Sequence, residues 1–227
     1  MTVVAEQQRL LRVVELAGPA GVGKSTASRA LLRRSSAVPG MIWGQPRLSL
    51  LSAGMHLGPT LVHCWLHSRS LLWNESRYIV RLSTLHRSLA QQRPAEQLMI
   101  FDEGPIFALA WLRGFGHERL RSPSFDWWWQ GTLKQWSRVV DAVVVLDAPD
   151  SVLAQRIRAR PEWHEVKHSP DGYIVGWMER FRAALDWVLA GMLEHGRPLV
   201  VRIRTEQEDA ESLSQRVAAG LRAIHDN

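Results

Sequence analysis

Short apolar runs separated by helix-like segments form the most regular pattern along the chain. Four runs rich in β-branched and aliphatic residues predict buried strands: Leu11–Ala17, Leu98–Asp102, Ala142–Asp147 and Pro198–Arg204. A weaker fifth candidate is Met41–Trp43, which follows the turn-like tripeptide Val38-Pro39-Gly40. Strands that alternate with helices indicate a parallel α/β sheet.

Helical patterns occupy most of the chain between these strands. In the last of them, Leu213, Val217 and Leu221 recur at helical spacing and share one face. Because the 227 residues contain no internal repeat and no low-complexity tract, we expect a single domain, residues 1–227. The predicted helices are Ser25–Arg34, Thr60–Trp73, Ser76–Gln92, Ser124–Arg138, Ser151–Arg160, Ile174–His195 and Glu206–His225.

The first predicted strand leads directly into a glycine-rich motif. The run GPAGVGKS, residues 18–25, fits the pattern G-x-x-x-x-G-K-[ST] of a phosphate-binding P-loop. Its glycines let successive backbone N–H groups point at phosphate oxygens, and the next helix adds its positive dipole end. Lys24 can reach the β- and γ-phosphates, and the Ser25 hydroxyl can ligate Mg²⁺. The predicted nucleotide-binding residues here are Gly18, Ala20, Gly21, Val22, Gly23, Lys24, Ser25 and Thr26.

The run Leu98–Asp102 ends in one acid, and a second acid, Glu103, follows directly. Asp102 stands at the usual position of the second Mg²⁺-site acid, because the carboxyl ends of parallel strands share one edge with the P-loop. Glu103 fits a general base for water or a substrate hydroxyl, or else a solvated loop residue. The pair therefore suits either a kinase that phosphorylates an alcohol or an ATP hydrolase that activates water.

A basic helix and a polar segment follow the strand that ends at Asp147. Arg156 and Arg160 are four residues apart, which places them on one helix face. Beyond Arg160 the chain turns polar and irregular up to Gly172. We predict a lid at residues 156–172 whose arginines close over a transferring phosphate; a solvated basic helix followed by a loop is the alternative.

Three segments together resemble one family. They are the P-loop, LDAPDSVLAQRIRAR and PLVVRIRTEQEDAESLSQRVAAGL, and their order resembles that of nucleoside and nucleoside-monophosphate kinases, thymidylate kinase above all. The resemblance implies the P-loop NTPase fold: a five-stranded parallel sheet flanked by helices, with a lid and a helical acceptor-binding region, here residues 41–97. It further implies that Lys24 and Ser25 bind ATP-Mg²⁺, that Arg204 lies near the adenine, and that Arg77 touches the acceptor.

Charge is distributed unevenly. The formal net charge is +6, yet no Asp or Glu occurs between Glu15 and Glu75. That stretch includes Arg47 and suggests an acidic ligand beyond the nucleotide.

Thymidylate kinases usually have Asp-Arg where this chain has Asp102-Glu103. Since phosphate acceptors need no base, the Asp102-Glu103 pair predicts an alcohol acceptor. An acceptor with a free hydroxyl and a remote acidic group satisfies both observations.

These features predict an ATP-dependent phosphotransferase that moves the γ-phosphoryl group to a nucleoside, a nucleotide or another small alcohol. A P-loop ATPase or nucleotide switch that acts with a protein partner is the alternative. The predicted catalytic residues are Lys24, Asp102, Glu103, Arg156 and Arg160. Ser25 and Asp102 are the predicted Mg²⁺ ligands, and Arg47, Arg77 and Glu103 are the predicted acceptor contacts.

Composition limits the remaining possibilities. One cysteine, Cys64, excludes an internal disulfide, and no apolar run approaches the ~20 residues needed to span a bilayer. With no signal-peptide pattern, we expect a cytoplasmic protein with no membrane partner. The chain lacks a continuous basic-aromatic stripe, which argues against nucleic acid, and a homodimer is left open. Eleven tryptophans, densest at residues 127–129, indicate core or interface packing, or a platform on which a ring stacks.

Overall fold

Five parallel strands form one sheet in the order β2-β3-β1-β4-β5. The structure, a computed structural model, describes residues 12–43, 73–91, 98–205 and 210–225. The described strands are β1 Val13–Ala17, β2 Val38–Gly40, β3 Met99–Phe101, β4 Ala142–Asp147 and β5 Leu199–Arg204. The predicted α/β class and the five-stranded parallel sheet are confirmed.

Seven α-helices in the described ranges cover the two faces of the sheet. They are α1 Lys24–Arg34, α2 Trp73–Gln91, α3 Pro105–Phe115, α4 Asp126–Ser137, α5 Asp150–Ala159, α6 Asp171–Leu193 and α7 Ala210–His225. Side chains of α2, α3, α4 and much of α6 form the core on one face, and those of α1, α5, α7 and the start of α6 form the core on the other. Because both faces are covered, β1 and β4 are buried almost throughout, as their apolar sequences require.

The position of the edge strand differs from the prediction. Met41–Trp43 was the expected fifth strand, but the strand lies at Val38–Gly40, the tripeptide that had been interpreted as a turn. It pairs in parallel with β3 only, at the edge of the sheet. Pro39 is tolerated there because an edge strand needs hydrogen bonds on one side alone.

Helix α3 was not predicted. It begins at Pro105, and the first position of a helix needs no N–H donor. Ile106, Leu109 and Leu112 are wholly buried, and residues between them are apolar as well. A helix that is apolar on every side has no periodic pattern to reveal it.

Two of the three consecutive tryptophans pack in the core. Trp128 is 7% exposed and Trp129 is 1% exposed, whereas Trp127 is 55% exposed. The indole Nε1 of Trp129 donates to the carbonyl oxygen of Leu120 at 2.5 Å, which satisfies its buried polar group. For Trp128 and Trp129 the packing interpretation is therefore correct.

Some sequence predictions fall outside the described residues. Arg47 and the predicted helix Thr60–Trp73 do so, except for Trp73, which begins α2. In the part of the chain that the structure describes, no helix is both long enough and apolar enough to cross a bilayer.

Candidate active site

The P-loop begins with a close approach between two strands' ends. Gly18 has a φ of 142°, and a Cβ at this position would lie 2.1 Å from the carbonyl oxygen of Leu146 in β4. Gly23, with a φ of 100°, is the residue before α1 and turns the chain into that helix. Only glycine combines these conformations with this spacing, so the sequence motif and the observed loop agree.

The start of α1 is open to an anion. Gly23 offers no side chain to cap the helix, and no acidic residue lies in the first turn. The first N–H groups of a helix have no partner within it, and its dipole favours negative charge at that end. Val22 anchors the loop beside this end, with an exposure of 1%.

Lys24 lies inside the loop rather than in solvent. Its Nζ donates to the carbonyl oxygens of Gly18 at 2.8 Å and Pro19 at 3.0 Å, and its exposure is 9%. Burial lowers the pKa of Lys24, while the carboxylates of Asp102 and Glu103 oppose that shift. Lys24 is therefore within electrostatic reach of both predicted acids.

Asp102 follows the last residue of β3 and has an unsatisfied oxygen. Its Oδ1 is buried and has no hydrogen-bond partner, although a buried carboxylate oxygen normally has one. Ser25, at the start of α1, lines the cavity beside the loop. A hydroxyl and one carboxylate fit Mg²⁺, which keeps most of its other ligands as water and phosphate oxygens. Accordingly, the described residues contain no group of three or more His, Cys, Asp or Glu arranged to hold a metal.

A cavity of about 580 Å³ extends from the P-loop between α3 and the loop that joins α5 to α6. Its P-loop half carries four cations: Lys24, Arg29, Arg156 and Arg160. The Arg156 guanidinium lies 3.5 Å from the carbonyl oxygen of Gly21. Arg160 stands one residue beyond the end of α5, not within the helix as predicted, yet it lines the same half.

The opposite half of the cavity, the aromatic half, is built from three helices. Tyr78 of α2 stacks on Trp111 of α3 with ring centroids 4.7 Å apart. Across from them, Trp177 and Phe181 of α6 are stacked at 6.0 Å. Phe107 completes the lining, with its ring 5.8 Å from that of Phe181.

Two carboxylates from distant parts of the chain converge on the aromatic half. Burial, together with the charges of Glu103 and Glu165, raises the pKa of Tyr78 to about 12. Glu165 also accepts a hydrogen bond from Nε1 of Trp177 at 2.6 Å. Beside it, burial lowers the pKa of His164, with Arg160 and Lys24 acting in the same direction. The charge of Glu103 thus affects the pKa of both Lys24 and Tyr78.

The structure brings most, but not all, of the predicted residues to this cavity. On its wall lie Ala20, Gly21, Val22, Gly23, Lys24, Ser25, Thr26, Glu103, Arg156 and Arg160. Gly18, Asp102 and Arg77 do not lie on this wall. The Arg77 guanidinium stands 5.9 Å from the centre of the Trp43 ring. Arg204 is exposed at the end of β5, and the next residue, Thr205, reaches the wall instead.

Glu15 is a buried acid that sequence reasoning did not assign. It lies within β1, is 0% exposed, and accepts hydrogen bonds from the backbone N–H groups of Gly104, Ile106 and Phe107 at 3.2, 2.8 and 2.7 Å. Burial raises its pKa to about 8, against the opposing effect of those three donors and of Lys24. Its signal in the sequence is a single charge inside the apolar run LRVVELA.

An arginine in α6 holds together the elements that flank the predicted lid. Arg182 bonds Asp147 through Nε and Nη2 at 2.9–3.1 Å, and its Nη1 lies 2.7 Å from Asp150. These carboxylates raise the pKa of Arg182 against the effect of burial. The end of β4, the start of α5 and the middle of α6 are thereby fixed to one another.

Solved structures share this fold. A deoxyadenosine kinase from M. mycoides with bound dCTP covers 92% of this chain and 98% of its own, with 12% identity and a TM-score of 0.53. The same enzyme with dCMP and a flexible dCDP gives 14% identity and a TM-score of 0.52, over 93% of this chain and 98% of that one. A shikimate kinase from Acinetobacter baumannii is 18% identical over 94% of each chain, with a TM-score of 0.46.

At these identities the likeness establishes the fold, and the deoxyadenosine kinase structures carry it. No protein-family model and no curated protein sequence matches the chain. The chain is therefore similar to P-loop kinases in architecture, while the specific resemblance to thymidylate kinase stays a prediction.

Proposed function

We propose that this protein is an ATP-dependent phosphotransferase that moves the γ-phosphoryl group to a hydroxyl of a small molecule. The observation that carries the proposal is one continuous cavity, with the P-loop at one end and an aromatic half at the other. Glu103 lines the same cavity, and its charge acts on both Lys24 and Tyr78. The likeness to deoxyadenosine kinase structures with bound nucleotides supports the same assignment.

The P-loop half supplies the charges that phosphoryl transfer needs. Lys24, Arg156 and Arg160 are positioned to balance negative charge on the transferring phosphate, and such stabilisation accounts for most of the catalysis in this reaction class. Ser25 and Asp102 would hold Mg²⁺, which when bound supplies further charge neutralisation at the β- and γ-phosphates.

The aromatic half favours an alcohol over a phosphate as acceptor. A hydroxyl benefits from a base within hydrogen-bond reach, and Glu103 is placed for that role. A phosphate acceptor is already ionised, and the carboxylates of Glu103 and Glu165 would repel it. The aromatic rings provide flat apolar faces for a small molecule that is neutral or positively charged.

Direct detection of a phosphorylated acceptor tests the proposal. The purified protein is incubated with Mg²⁺-ATP and panels of nucleosides, nucleoside monophosphates, sugars and amino alcohols, and products are identified by mass spectrometry. We expect one class of alcohol to gain a phosphoryl group. Turnover that needs no small acceptor and rises only with a protein would instead favour the ATPase or nucleotide switch.

A pair of lysine variants links this activity to the site. Lys24→Ala should lower kcat by about 10²–10³-fold or more, because a preorganised charge at the transferring phosphate is lost. Lys134→Ala, on the exposed surface of α4, is the matched control and should behave like the wild type. Equal activity in the two variants would refute the P-loop assignment.

A further inference from the structure

Glu15 is the acid whose position in the fold most needs an explanation. An ionisable side chain in the middle of a buried strand costs free energy unless its polar atoms are satisfied. Its flanking neighbours, Val14 and Leu16, are wholly buried, and its partners across the sheet are Phe101 in β3 and Val143 in β4. If the position served packing alone, an apolar residue would fill it at a lower cost in folding free energy.

Both oxygens of Glu15 are used, and all three donors belong to one turn. Oε1 accepts from the N–H groups of Gly104 and Phe107, and Oε2 accepts from Ile106. These donors lie at the start of α3, directly after Asp102 and Glu103. The carboxyl group therefore binds the chain immediately beyond Asp102 and Glu103, whose charges both act on Lys24.

Gly104 is shaped to receive this side chain. A Cβ on Gly104 would lie 2.6 Å from Oε2 of Glu15 and 2.7 Å from Cβ of Phe101. The backbone of Gly104 is extended rather than left-handed, so glycine is required here by the close approach and not by its φ angle. The strand and the turn thus fit each other at the level of single atoms.

The sheet fixes the chain on the N-terminal side of Asp102 and Glu103. Phe101 pairs with Glu15 in the parallel ladder, so Asp102 and Glu103 are bracketed by a backbone ladder before them and by the Glu15 hydrogen bonds after them. Glu15 lies three residues before Gly18 in β1, the strand that leads into the P-loop. One strand therefore sets the position of the P-loop and, through a side chain, that of the acidic turn.

We propose that Glu15 is a positioning residue for the proposed phosphoryl transfer, since its carboxyl group holds the turn at residues 102–104 so that Asp102 and Glu103 face the P-loop. It touches neither substrate, because it is wholly buried beneath the turn. The inference rests on the proposed function, and it adds to it a residue that acts through backbone N–H groups.

Two variants of Glu15 and one control test the proposal. Glu15→Ala removes all three acceptor contacts, and Glu15→Gln keeps the shape and one carbonyl oxygen. Val143→Ala, opposite Glu15 in β4, removes buried volume but none of the hydrogen-bond acceptors of the turn. We expect kcat to fall by about 10²-fold in Glu15→Ala, as misplacement of reacting groups by about 1 Å does, and by less in Glu15→Gln, with the KM for ATP little changed. Val143→Ala should keep its kcat at temperatures where it is folded.

A second measurement tests the role of Glu15 without requiring phosphoryl transfer. The gain in affinity for a non-hydrolysable ATP analogue on adding Mg²⁺ depends on where Asp102 stands, and isothermal titration calorimetry measures it. We expect this gain to shrink in Glu15→Ala and to persist in Val143→Ala. If no acceptor is ever phosphorylated, the proposed function fails while this readout still reports on the turn. Folded Glu15→Gln and Glu15→Ala proteins with wild-type Mg²⁺ dependence would overturn the role of Glu15.

Discussion

Helices α1 and α3 start at the same edge of the sheet, and the N–H groups at their starts differ in what they bind. Each follows a neighbouring strand, β1 or β3, and each is preceded by a glycine that offers no capping side chain. The start of α3 receives the carboxyl group of Glu15 from inside the protein. The start of α1 has no acid in its first turn and faces the cavity.

The difference shows how one piece of backbone chemistry serves two purposes. N–H groups at a helix start bind a carboxyl group or a phosphate with the same geometry. Where the protein supplies the partner, the helix start becomes a fixed part of the core. Where it supplies none, as at α1, the helix start stays available to an external anion.

The largest effect should come from distorting the loop that leads into α1. Gly18→Ala would place a Cβ 2.1 Å from the Leu146 carbonyl oxygen at a φ of 142°. We expect stability to fall by about 3 kcal/mol or more and nucleotide binding to be lost, measured by urea unfolding and calorimetric titration. Gly131→Ala in α4, where nothing lies within 4 Å, should bind nucleotide normally. Normal binding by Gly18→Ala would show that the loop at α1 does not hold the phosphates.

The next largest effect should come from Glu103, which lines the cavity just before α3 begins. Glu103→Gln keeps the size of the residue and removes its basicity, so kcat for an alcohol acceptor should fall by about 10²–10⁴-fold. The KM for ATP should change little, since Lys24 and the loop are untouched. Glu179→Gln on the exposed face of α6 is the control. A full kcat in Glu103→Gln would favour an acceptor that needs no base.

Asp102→Asn sharpens the comparison between the two helix starts. The variant should weaken Mg²⁺-dependent turnover about 10- to 100-fold, because Oδ1 is proposed to act through the ion. Nucleotide binding without Mg²⁺ should be unchanged, since the N–H groups at α1 remain. Asp186→Asn, in an exposed ion pair with Arg202, is the control. Equal losses with and without the metal would indicate that Asp102 is only structural.

The last effect is gradual and concerns the dependence of stability on pH. The pKa of Glu15 is raised from 4.5 to about 8, so between these values the folded protein keeps a proton that the unfolded chain releases. The free energy of unfolding should therefore fall as pH rises through that window, by at most about 1.4 kcal/mol per pH unit from this group. Urea unfolding of Glu15→Gln should show a shallower fall. A steeper fall in the variant than in the wild type would contradict the raised pKa.

The loop that lines the P-loop half of the cavity could be predicted because its residues are contiguous. The P-loop places its glycines, Lys24 and Ser25 within one short motif, and the strand before it is apolar and buried. Asp102 and Glu103 followed from a rule of parallel sheets, that the carboxyl ends of strands share one edge. The P-loop can be recognised from the sequence because one short stretch of backbone forms it.

The aromatic half could not be predicted for the opposite reason. Tyr78, Trp111 and Trp177 come from three helices, and only tertiary packing brings them together. The same holds for Glu15, whose partners are about ninety residues away along the chain. Tertiary context also explains Val38–Gly40, since a Pro-Gly pair becomes a strand only where the sheet offers an edge.

The clamp at Arg182 has a consequence for the speed of the predicted lid. Arg182 fixes the base of α5 to α6, and Arg158 ties the end of α5 to Asp171 at the start of α6 and to the carbonyl oxygen of Ser169. Only the short connection 160–170 remains between these anchored ends, so ordering it over a ligand costs little loop entropy. Lid motions in enzymes take microseconds to milliseconds, and we expect a lid this short and firmly anchored to close at the fast end of that range.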